Sequence, residues 1–311
     1  MKKAFILLAV LLLPFAAFTR EEAKKFTDVC YVSIQNPHER QVLDLTLPDS
    51  GKGPFPLVIF IHGGAFMAGS KADVSRTAFN EAPNRGYALA AINYRLASAK
   101  DTIGRFPQGI QDILAAIRYL RANAEKYHLD PNRFAVAGFS SGAYHAAMID
   151  VLSGAKNDIE DFTLGNPGIS SAVQAAVTWS ALTDLLKLQE QQEENPDIKY
   201  WIPDHTVNSP EATYFGGQIT LPAFAATLAK SNPLNYVTVK TPPILMQHAP
   251  NDNLVPWQQS QMLVDKINEV AGAGRAIFDT IPNGGHGGPP FSSASNTDRI
   301  FRFLDEKLTG K

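Results

Sequence analysis

The segment Gly138-Phe139-Ser140-Ser141-Gly142 has the residue types and spacing of a serine nucleophile site. It follows the apolar run 134–137 and opens an alanine-rich stretch that predicts a helix. In such a nucleophile elbow the serine takes a strained backbone conformation, and the flanking glycines avoid collisions across the bend. The N–H of Ser141, at the helix start, points towards charge developing beside Ser140. The pattern predicts a nucleophilic Ser140; a glycine-flanked structural turn is the alternative.

A nucleophilic serine needs two partners from elsewhere in the chain. A histidine must take its proton, and a carboxylate must orient that histidine. After an elbow of this kind, the acid and then the histidine follow the serine, each on a loop at the carboxyl end of a strand. The strand-like run 243–247 leads into Asp252, and the run 276–281 leads into His286, which stands among glycines. We therefore predict a triad of Ser140, Asp252 and His286.

The chain contains other acidic and histidine residues that could take the same roles. Asp184 also follows a strand-like run, residues 173–179, and is the alternative acid, although a helix cap is its ordinary role. His145 lies on the helix after the elbow, where packing is expected. His248 begins the acid loop and is expected to have a structural role. Two further histidines are expected at the surface: His38 and His128.

A second glycine turn predicts hydrogen-bond donors for a negatively charged intermediate. The apolar run 56–61 has the length of a buried strand and ends at His62-Gly63-Gly64-Ala65-Phe66. Glycines at this place let the backbone approach a reacting carbonyl group. We predict that the N–H groups of Gly63, Gly64 and Ser141 bind the oxyanion. An ordinary turn at the end of a strand is the alternative.

Further motifs extend along most of the chain. They include Ile92-Asn93-Tyr94-Arg95-Leu96 and residues 106–121, 130–133, 209–211, 231–234 and 255–256. Together with the elbow, they resemble the α/β-hydrolase esterases of the hormone-sensitive-lipase-like group, whose oxyanion loop reads His-Gly-Gly-Gly. Within that group the chain is similar to the secreted bacterial feruloyl and acetylxylan esterases (BD-FAE-like). Three residues depart from the family pattern, in which glycine or alanine is usual: Ala65, Asn251 and Ser141.

The resemblance implies a fold and an activity. The fold is an α/β-hydrolase, a mostly parallel eight-stranded sheet with helices on both faces and a small cap insertion. The activity is hydrolysis of carboxylic esters through an acyl-enzyme, without a metal or organic cofactor. The implied substrates are acetyl or feruloyl esters of plant cell-wall polysaccharide or small molecules. A prolyl-oligopeptidase-like peptidase, usually with a large N-terminal propeller, and a non-catalytic binding protein of the same fold are the alternatives.

The coarse pattern along the chain agrees with this fold. Hydrophobic residues make up 45% and charged residues 19%, as in a globular domain, here expected over residues 20–311. Strand-like and helical runs alternate from residue 56 onward, which predicts a mostly parallel sheet with ligands at its carboxyl edge. An early hairpin is expected from strands at 30–34 and 41–47. The helix expected over 110–120 should lie on the sheet.

Residues 183–235 interrupt this alternation with polar and proline-rich sequence, and we expect a cap over the site there. Phe139, Tyr200 and Trp201 are the predicted substrate contacts. The cap aromatic residues have two open interpretations, lining a pocket or fastening the insertion to the main domain. They are Tyr200, Trp201, Tyr214 and Phe215.

Residues 1–19 have the layout of a secretory signal, with two lysines, an apolar run and then small residues. The apolar run is shorter than the roughly 20 residues that a membrane anchor needs. We therefore expect a secreted or periplasmic protein without a stable membrane anchor. The net charge of −2 and the lack of a basic, aromatic-rich cluster argue against a nucleic-acid partner. Cys30 is the sole cysteine, so no intramolecular disulfide can form, and oligomeric state stays open.

Overall fold

An eight-stranded sheet organises the chain. The computed structural model describes residues 24–195, 198 and 206–310. The strand order is β1-β2-β4-β3-β5-β6-β7-β8, and only the pairs that β2 makes with β1 and β4 are antiparallel. The strands are β1 Lys25–Cys30, β2 Val42–Thr46, β3 Phe55–Ile61, β4 Ala88–Ile92, β5 Leu129–Phe139, β6 Ala175–Trp179, β7 Ile244–His248 and β8 Ala276–Thr280. The predicted α/β-hydrolase sheet is confirmed.

Helices cover both faces of this sheet, because the central strands are apolar on both sides. The α-helices are α1 Gln108–Ala122, α2 Ser141–Ser153, α3 Leu188–Glu193, α4 Pro210–Phe215, α5 Ala225–Ser231, α6 Gln258–Ala271 and α7 Ala294–Leu304. On one face α1, α2 and α6 pack into a core with the inward residues of β3 to β7. On the other face α7 and short 3-10 turns between β3 and β4 form a second core. The helix expected over 110–120 is the centre of α1.

The first strand lies earlier in the chain than the predicted 30–34. Tyr31 and Val32 are buried, but they pack into the core from the connection between β1 and β2. The hydroxyl of Tyr31 donates to the backbone oxygen of Asn93 at 2.8 Å. The strand β1 itself is an edge strand with mostly exposed residues, so its hydrophobic pattern is weak. The antiparallel pairing with β2 is as expected.

The described part of the insertion consists of short helices that pack on the main domain. Ser209 caps α4 with its side chain, and Pro210 occupies the first turn. Tyr214 and Phe215 are buried, and the Tyr214 ring stacks on Phe66 at 4.1 Å between ring centres. These two aromatic residues therefore fasten the insertion. Residues 1–19, Tyr200 and Trp201 lie outside the described residues.

In the described ranges, no helix combines the length and the apolar character needed to cross a bilayer.

Candidate active site

Ser140 lies on a sharp bend between β5 and α2. Its backbone has φ 56° and ψ −124°, a left-handed conformation that is strained for a residue with a side chain. A Cβ atom at Gly138 would lie 2.2 Å from the backbone oxygen of Gly142, and one at Gly142 would lie 2.2 Å from that of Ile61. Only glycine fits at both positions. The bend therefore has the form that the sequence predicted, with Ser140 at the carboxyl edge of the sheet.

His286 lies between Ser140 and Asp252. Its Nε2 atom is 3.0 Å from the Ser140 Oγ, and its Nδ1 atom is 2.9 Å from Oδ2 of Asp252 and 3.1 Å from Oδ1. An ionised carboxylate can only accept hydrogen bonds, so Nδ1 carries the proton and Nε2 offers its lone pair to the serine hydroxyl. This is the arrangement in which an imidazole can take a proton from Ser140.

Asp252 is held as a buried, ionised carboxylate. Its Oδ1 accepts the N–H groups of Leu254 and Val255, both at 2.9 Å. Burial raises the pKa of Asp252, but the hydrogen bonds from His248 and His286 outweigh it and leave the pKa well below its usual range. The carboxylate therefore keeps its charge beside His286 at neutral pH.

The His286 loop is fixed by contacts on both sides. The N–H of Gly285 donates to the side-chain oxygen of Asn251 at 3.1 Å, which ties this loop to the acid loop. Asn251, one of the residues that depart from the pattern the sequence resembles, therefore links the two loops. Gly287 has φ 74°, and a Cβ atom there would lie 2.5 Å from the Phe139 ring. That ring packs on His286 with 4.9 Å between ring centres.

The turn after β3 presents free backbone donors beside the elbow. The N–H groups of Gly63, Gly64 and Ser141 form no hydrogen bond with another described residue. A Cβ atom at Gly63 would lie 2.7 Å from the backbone oxygen of Phe139 and 3.2 Å from the Ser140 Cβ, so the two turns touch. Gly64 has φ 118°, a conformation that favours glycine. The donors predicted for an oxyanion are thus brought to Ser140.

The alternative residues lie in other surroundings. The Asp184 carboxylate accepts the N–H of Leu186 at 3.1 Å and caps its own turn. His248 is buried, with Nδ1 2.7 Å from the Ser260 hydroxyl and Nε2 3.0 Å from the backbone oxygen of Val255. Its Nε2 is also 3.4 Å from Oδ2 of Asp252, so His248 helps to stabilise the Asp252 carboxylate.

A cavity of about 260 Å³ adjoins the glycine turn. Its lining comprises Phe60, Gly63, Gly64, Gly69, Asp73, Arg76, Thr77, Phe139, Trp179 and Gly287. Phe139, a predicted substrate contact, is therefore in this wall, with Phe60 and Trp179 supplying further aromatic surface. Within the described residues, no group of three or more His, Cys, Asp or Glu side chains is arranged to hold a metal ion.

Comparisons with known proteins find similar esterases. A carbohydrate esterase from gut microbiota has a solved structure with a TM-score of 0.79 and 28% identity, covering 94% of this chain and 98% of that chain. A bifunctional GH43-CE protein of Bacteroides eggerthii gives a TM-score of 0.76 and 28% identity, covering 91% of this chain and 38% of the other. The probable carboxylic ester hydrolase LipM of Mycobacterium tuberculosis is 28% identical over 232 residues, which are 75% of this chain and 48% of LipM. The chain thus spans about half the length of the curated relatives it matches.

The family assignment rests on a match to most of the chain. The BD-FAE family model matches residues 43–267, a segment that contains the glycine turn, Ser140 and Asp252. His286 follows beyond the matched segment and reaches the same site in three dimensions. On this match the chain belongs to the BD-FAE family, as its sequence motifs predicted.

Proposed function

We propose that the protein is a carboxylic ester hydrolase that works through Ser140, His286 and Asp252. The observation that carries this proposal is the hydrogen-bond chain from Asp252 through His286 to Ser140, with links of 2.9 and 3.0 Å. It ends on a strained elbow beside unpaired backbone donors. The similarity to proteins named as esterases supports the same reaction class.

In the first half of the proposed reaction, Ser140 is acylated. The Oγ atom attacks the ester carbonyl carbon while its proton passes to Nε2 of His286, and Asp252 stabilises the resulting imidazolium. The carbonyl oxygen becomes an oxyanion that accepts N–H groups of Gly63, Gly64 and Ser141. A donor of this kind contributes about 3 to 4 kcal/mol to transition-state stabilisation. The intermediate then expels the alcohol, which takes the proton back from His286.

In the second half, water releases the acyl group. The neutral His286 takes a proton from a water molecule as that water attacks the acyl carbonyl carbon. The same backbone donors hold the second oxyanion. Its collapse breaks the bond to the Ser140 Oγ, which recovers its proton from His286, and the carboxylic acid leaves. His286 thus takes a proton from Ser140 and later from water, and gives these protons to the leaving alcohol and back to Ser140.

Ester hydrolysis and active-site labelling test the reaction class. The wild-type protein should hydrolyse 4-nitrophenyl acetate and should be labelled by a fluorophosphonate at Ser140. Ser140→Ala should remove the label and lower kcat by a factor of about 10⁴ or more. A folded wild-type protein that resists the probe would favour a non-catalytic binding protein. Faster cleavage of proline-containing peptides than of aryl acetates would favour a peptidase.

We further propose that the substrates are acylated carbohydrates, with acetyl or feruloyl groups on plant cell-wall polysaccharide. The carbohydrate esterase from gut microbiota, similar over nearly its whole length, supports this class. The cavity of about 260 Å³ beside Gly63 and Gly64 has room for one arm of an ester. Acetylated xylan, methyl ferulate and 4-nitrophenyl acetate compared at equal enzyme concentration decide between the acyl groups. A preference for ferulate would require a wide acyl slot, and a preference for acetate a closed one.

We also propose that the protein is exported from the cytoplasm, because residues 1–19 have the layout of a secretory signal. Cell fractionation with N-terminal sequencing of the mature protein tests it. Recovery of the uncleaved chain in the cytoplasm would contradict it.

A further inference from the structure

The two glycine N–H groups proposed to bind the oxyanion each belong to a planar trans peptide group. In such a group the N–H points opposite to the C=O, so holding the carbonyl end fixes the direction of the donor. The Gly63 N–H shares its peptide group with the His62 carbonyl, which accepts the Tyr94 hydroxyl at 2.9 Å. The Gly64 N–H shares its peptide group with the Gly63 carbonyl, which lies 2.7 Å from Nδ1 of His62. Both carbonyl ends are therefore held by a side chain.

The proton of His62 is placed by Arg40. The Nη2 atom of Arg40 is 3.1 Å from Nε2 of His62. A guanidinium group only donates hydrogen bonds, so Nε2 must accept and the ring proton must sit on Nδ1. Only this tautomer can donate to the Gly63 carbonyl oxygen. In the other tautomer two lone pairs would face each other across 2.7 Å.

Arg40 also binds the backbone at Tyr94 and at Gly69, the two segments that pack against the His62 ring. Its Nε donates to the backbone oxygen of Tyr94 at 2.8 Å, and its Nη2 donates to that of Gly69 at 2.9 Å. The Tyr94 ring stacks on the His62 ring at 4.4 Å with an interplanar angle of 13°. A Cβ atom at Gly69 would lie 2.5 Å from Nδ1 of His62, so the backbone packs directly on the key hydrogen bond.

We propose that Arg40, His62 and Tyr94 form a carbonyl clamp, a set of positioning residues that aims the Gly63 and Gly64 N–H groups at the oxyanion. The inference rests on the proposed function, because it assigns a task to the donors of that reaction. None of the three side chains needs to touch the substrate. The clamp acts on transition-state stabilisation rather than on substrate binding, so it should affect kcat and leave KM nearly unchanged.

Charge and burial keep His62 in the state that the clamp needs. His62 is fully buried, and burial lowers its pKa to about 4, with Arg40 acting in the same direction and the Gly63 carbonyl and Asp73 against it. The ring is therefore neutral near pH 7. Its Nε2 lone pair remains available to Arg40.

The tautomer of His62 gives a direct test on the intact protein. The chain has seven histidines, and the ¹⁵N NMR signals of His62 are those absent from His62→Asn. At pH 7 the wild-type protein should show the Nδ1-protonated tautomer at this residue, and Arg40→Met should populate the Nε2-protonated form. A wild-type His62 with its proton on Nε2 would overturn the clamp, whatever the variants do. This measurement does not depend on activity.

Kinetics with matched variants test the consequence. Removing a whole oxyanion donor costs about 10²- to 10³-fold in kcat, so loosening one should cost about tenfold. We expect this loss for Arg40→Met and for Tyr94→Phe, which removes a single hydroxyl and guards against misfolding. Affinity for a trifluoromethyl ketone, which forms a tetrahedral adduct with Ser140, should fall by a similar factor. His62→Asn, whose short amide can replace Nδ1 as donor, should retain more activity than His62→Ala.

Arg121→Met is the control for the arginine. Arg121 also donates to three backbone oxygens, those of Pro131, Ser170 and Ala172, but at the amino ends of β5 and β6, away from the site. It should keep the wild-type kcat and the wild-type His62 tautomer. Equal losses in Arg121→Met and Arg40→Met, or full kcat and inhibitor affinity in both clamp variants, would refute the proposal. A wild-type protein inactive on every ester would refute the proposed function instead and leave the tautomer result standing.

Discussion

Asp150 gives a prediction about stability that is independent of the reaction. It lies on α2, is fully buried, and neither carboxyl oxygen has a hydrogen-bond partner among the described residues. It stands almost three helical turns beyond Ser140, or about 15 Å along the axis. Replacing it by asparagine, which has nearly the same shape and is always neutral, should therefore stabilise the fold at neutral pH and leave ester hydrolysis unchanged.

The size of the effect follows from proton binding. Burial raises the pKa of Asp150 well above 3.8, and the charge of Arg275 opposes this only in part. Above pH 3.8 the unfolded chain has released the proton while the folded chain still holds it. The wild-type free energy of unfolding then falls by about 1.4 kcal/mol for each pH unit, until the pH reaches the folded-state pKa. Asp150→Asn has no such loss, so its stability relative to the wild type should rise by about 1.4 kcal/mol for each pH unit within this window.

Urea unfolding of both proteins at a series of pH values from 4 upward measures this difference. Its signature is the slope, because a packing change alone would shift stability equally at every pH. Asp265→Asn, on an exposed part of α6, controls for the substitution itself. A difference between wild type and Asp150→Asn that stays constant with pH, or a variant less stable than wild type at pH 7, would show that the buried carboxyl is not held protonated without a partner.

Two further predictions concern the site and its surroundings. Asp252→Asn should lower kcat by about 10³- to 10⁴-fold, because the amide cannot hold the His286 tautomer or its charge, whereas Asp184→Asn should keep wild-type rates in the same assay. Burial, with a smaller effect of His62, lowers the pKa of His145 to about 3, so the unfolded chain binds a proton there between pH 6.5 and 3 that the folded chain does not. Stability should fall by about 1.4 kcal/mol per pH unit as the pH drops through this range, and His145→Leu should lack that share of the loss in urea titrations.

The arrangement of Ser140, Asp252 and His286 could be predicted because each follows a strand of one parallel sheet. The carboxyl ends of parallel strands meet at one edge, so chain order and strand ends alone bring distant loops together. The glycine requirement at 138 and 142 was equally predictable from the bend. These features can be predicted from short stretches of sequence, without knowledge of the contacts between distant segments.

Other features depend on such contacts and left no local signal. Arg40 lies in a polar segment between β1 and β2, where its sequence surroundings indicate only a solvated loop. Its partner His62 was predicted as the start of a glycine turn, without a role for its ring. The bond from Gly285 to Asn251 likewise joins two loops whose spacing along the chain says nothing about their approach. The edge strand β1 was misplaced because buried Tyr31 and Val32 gave a strand-like pattern outside the ladder.

The residues that follow Gly64 connect the insertion to the turn that carries the proposed oxyanion donors. Ala65 and Phe66 both have left-handed backbones, with φ of 53° and 67°, and each such residue costs about 1 to 2 kcal/mol. A third glycine would relieve the cost at the first position. Instead, the Phe66 ring is buried and stacks on Tyr214 of α4, and burial of a phenylalanine contributes about 1.5 to 3 kcal/mol.

Packing of this size offsets much of the roughly 2 to 4 kcal/mol that the two left-handed residues cost together. The turn that carries Gly63 and Gly64 is therefore stabilised by Tyr214 of the insertion, and α4 belongs to the framework of the site. Helix α4 and the glycine turn should accordingly lose their order together, because the contact between Phe66 and Tyr214 fastens the helix and also stabilises the backbone conformation of the turn.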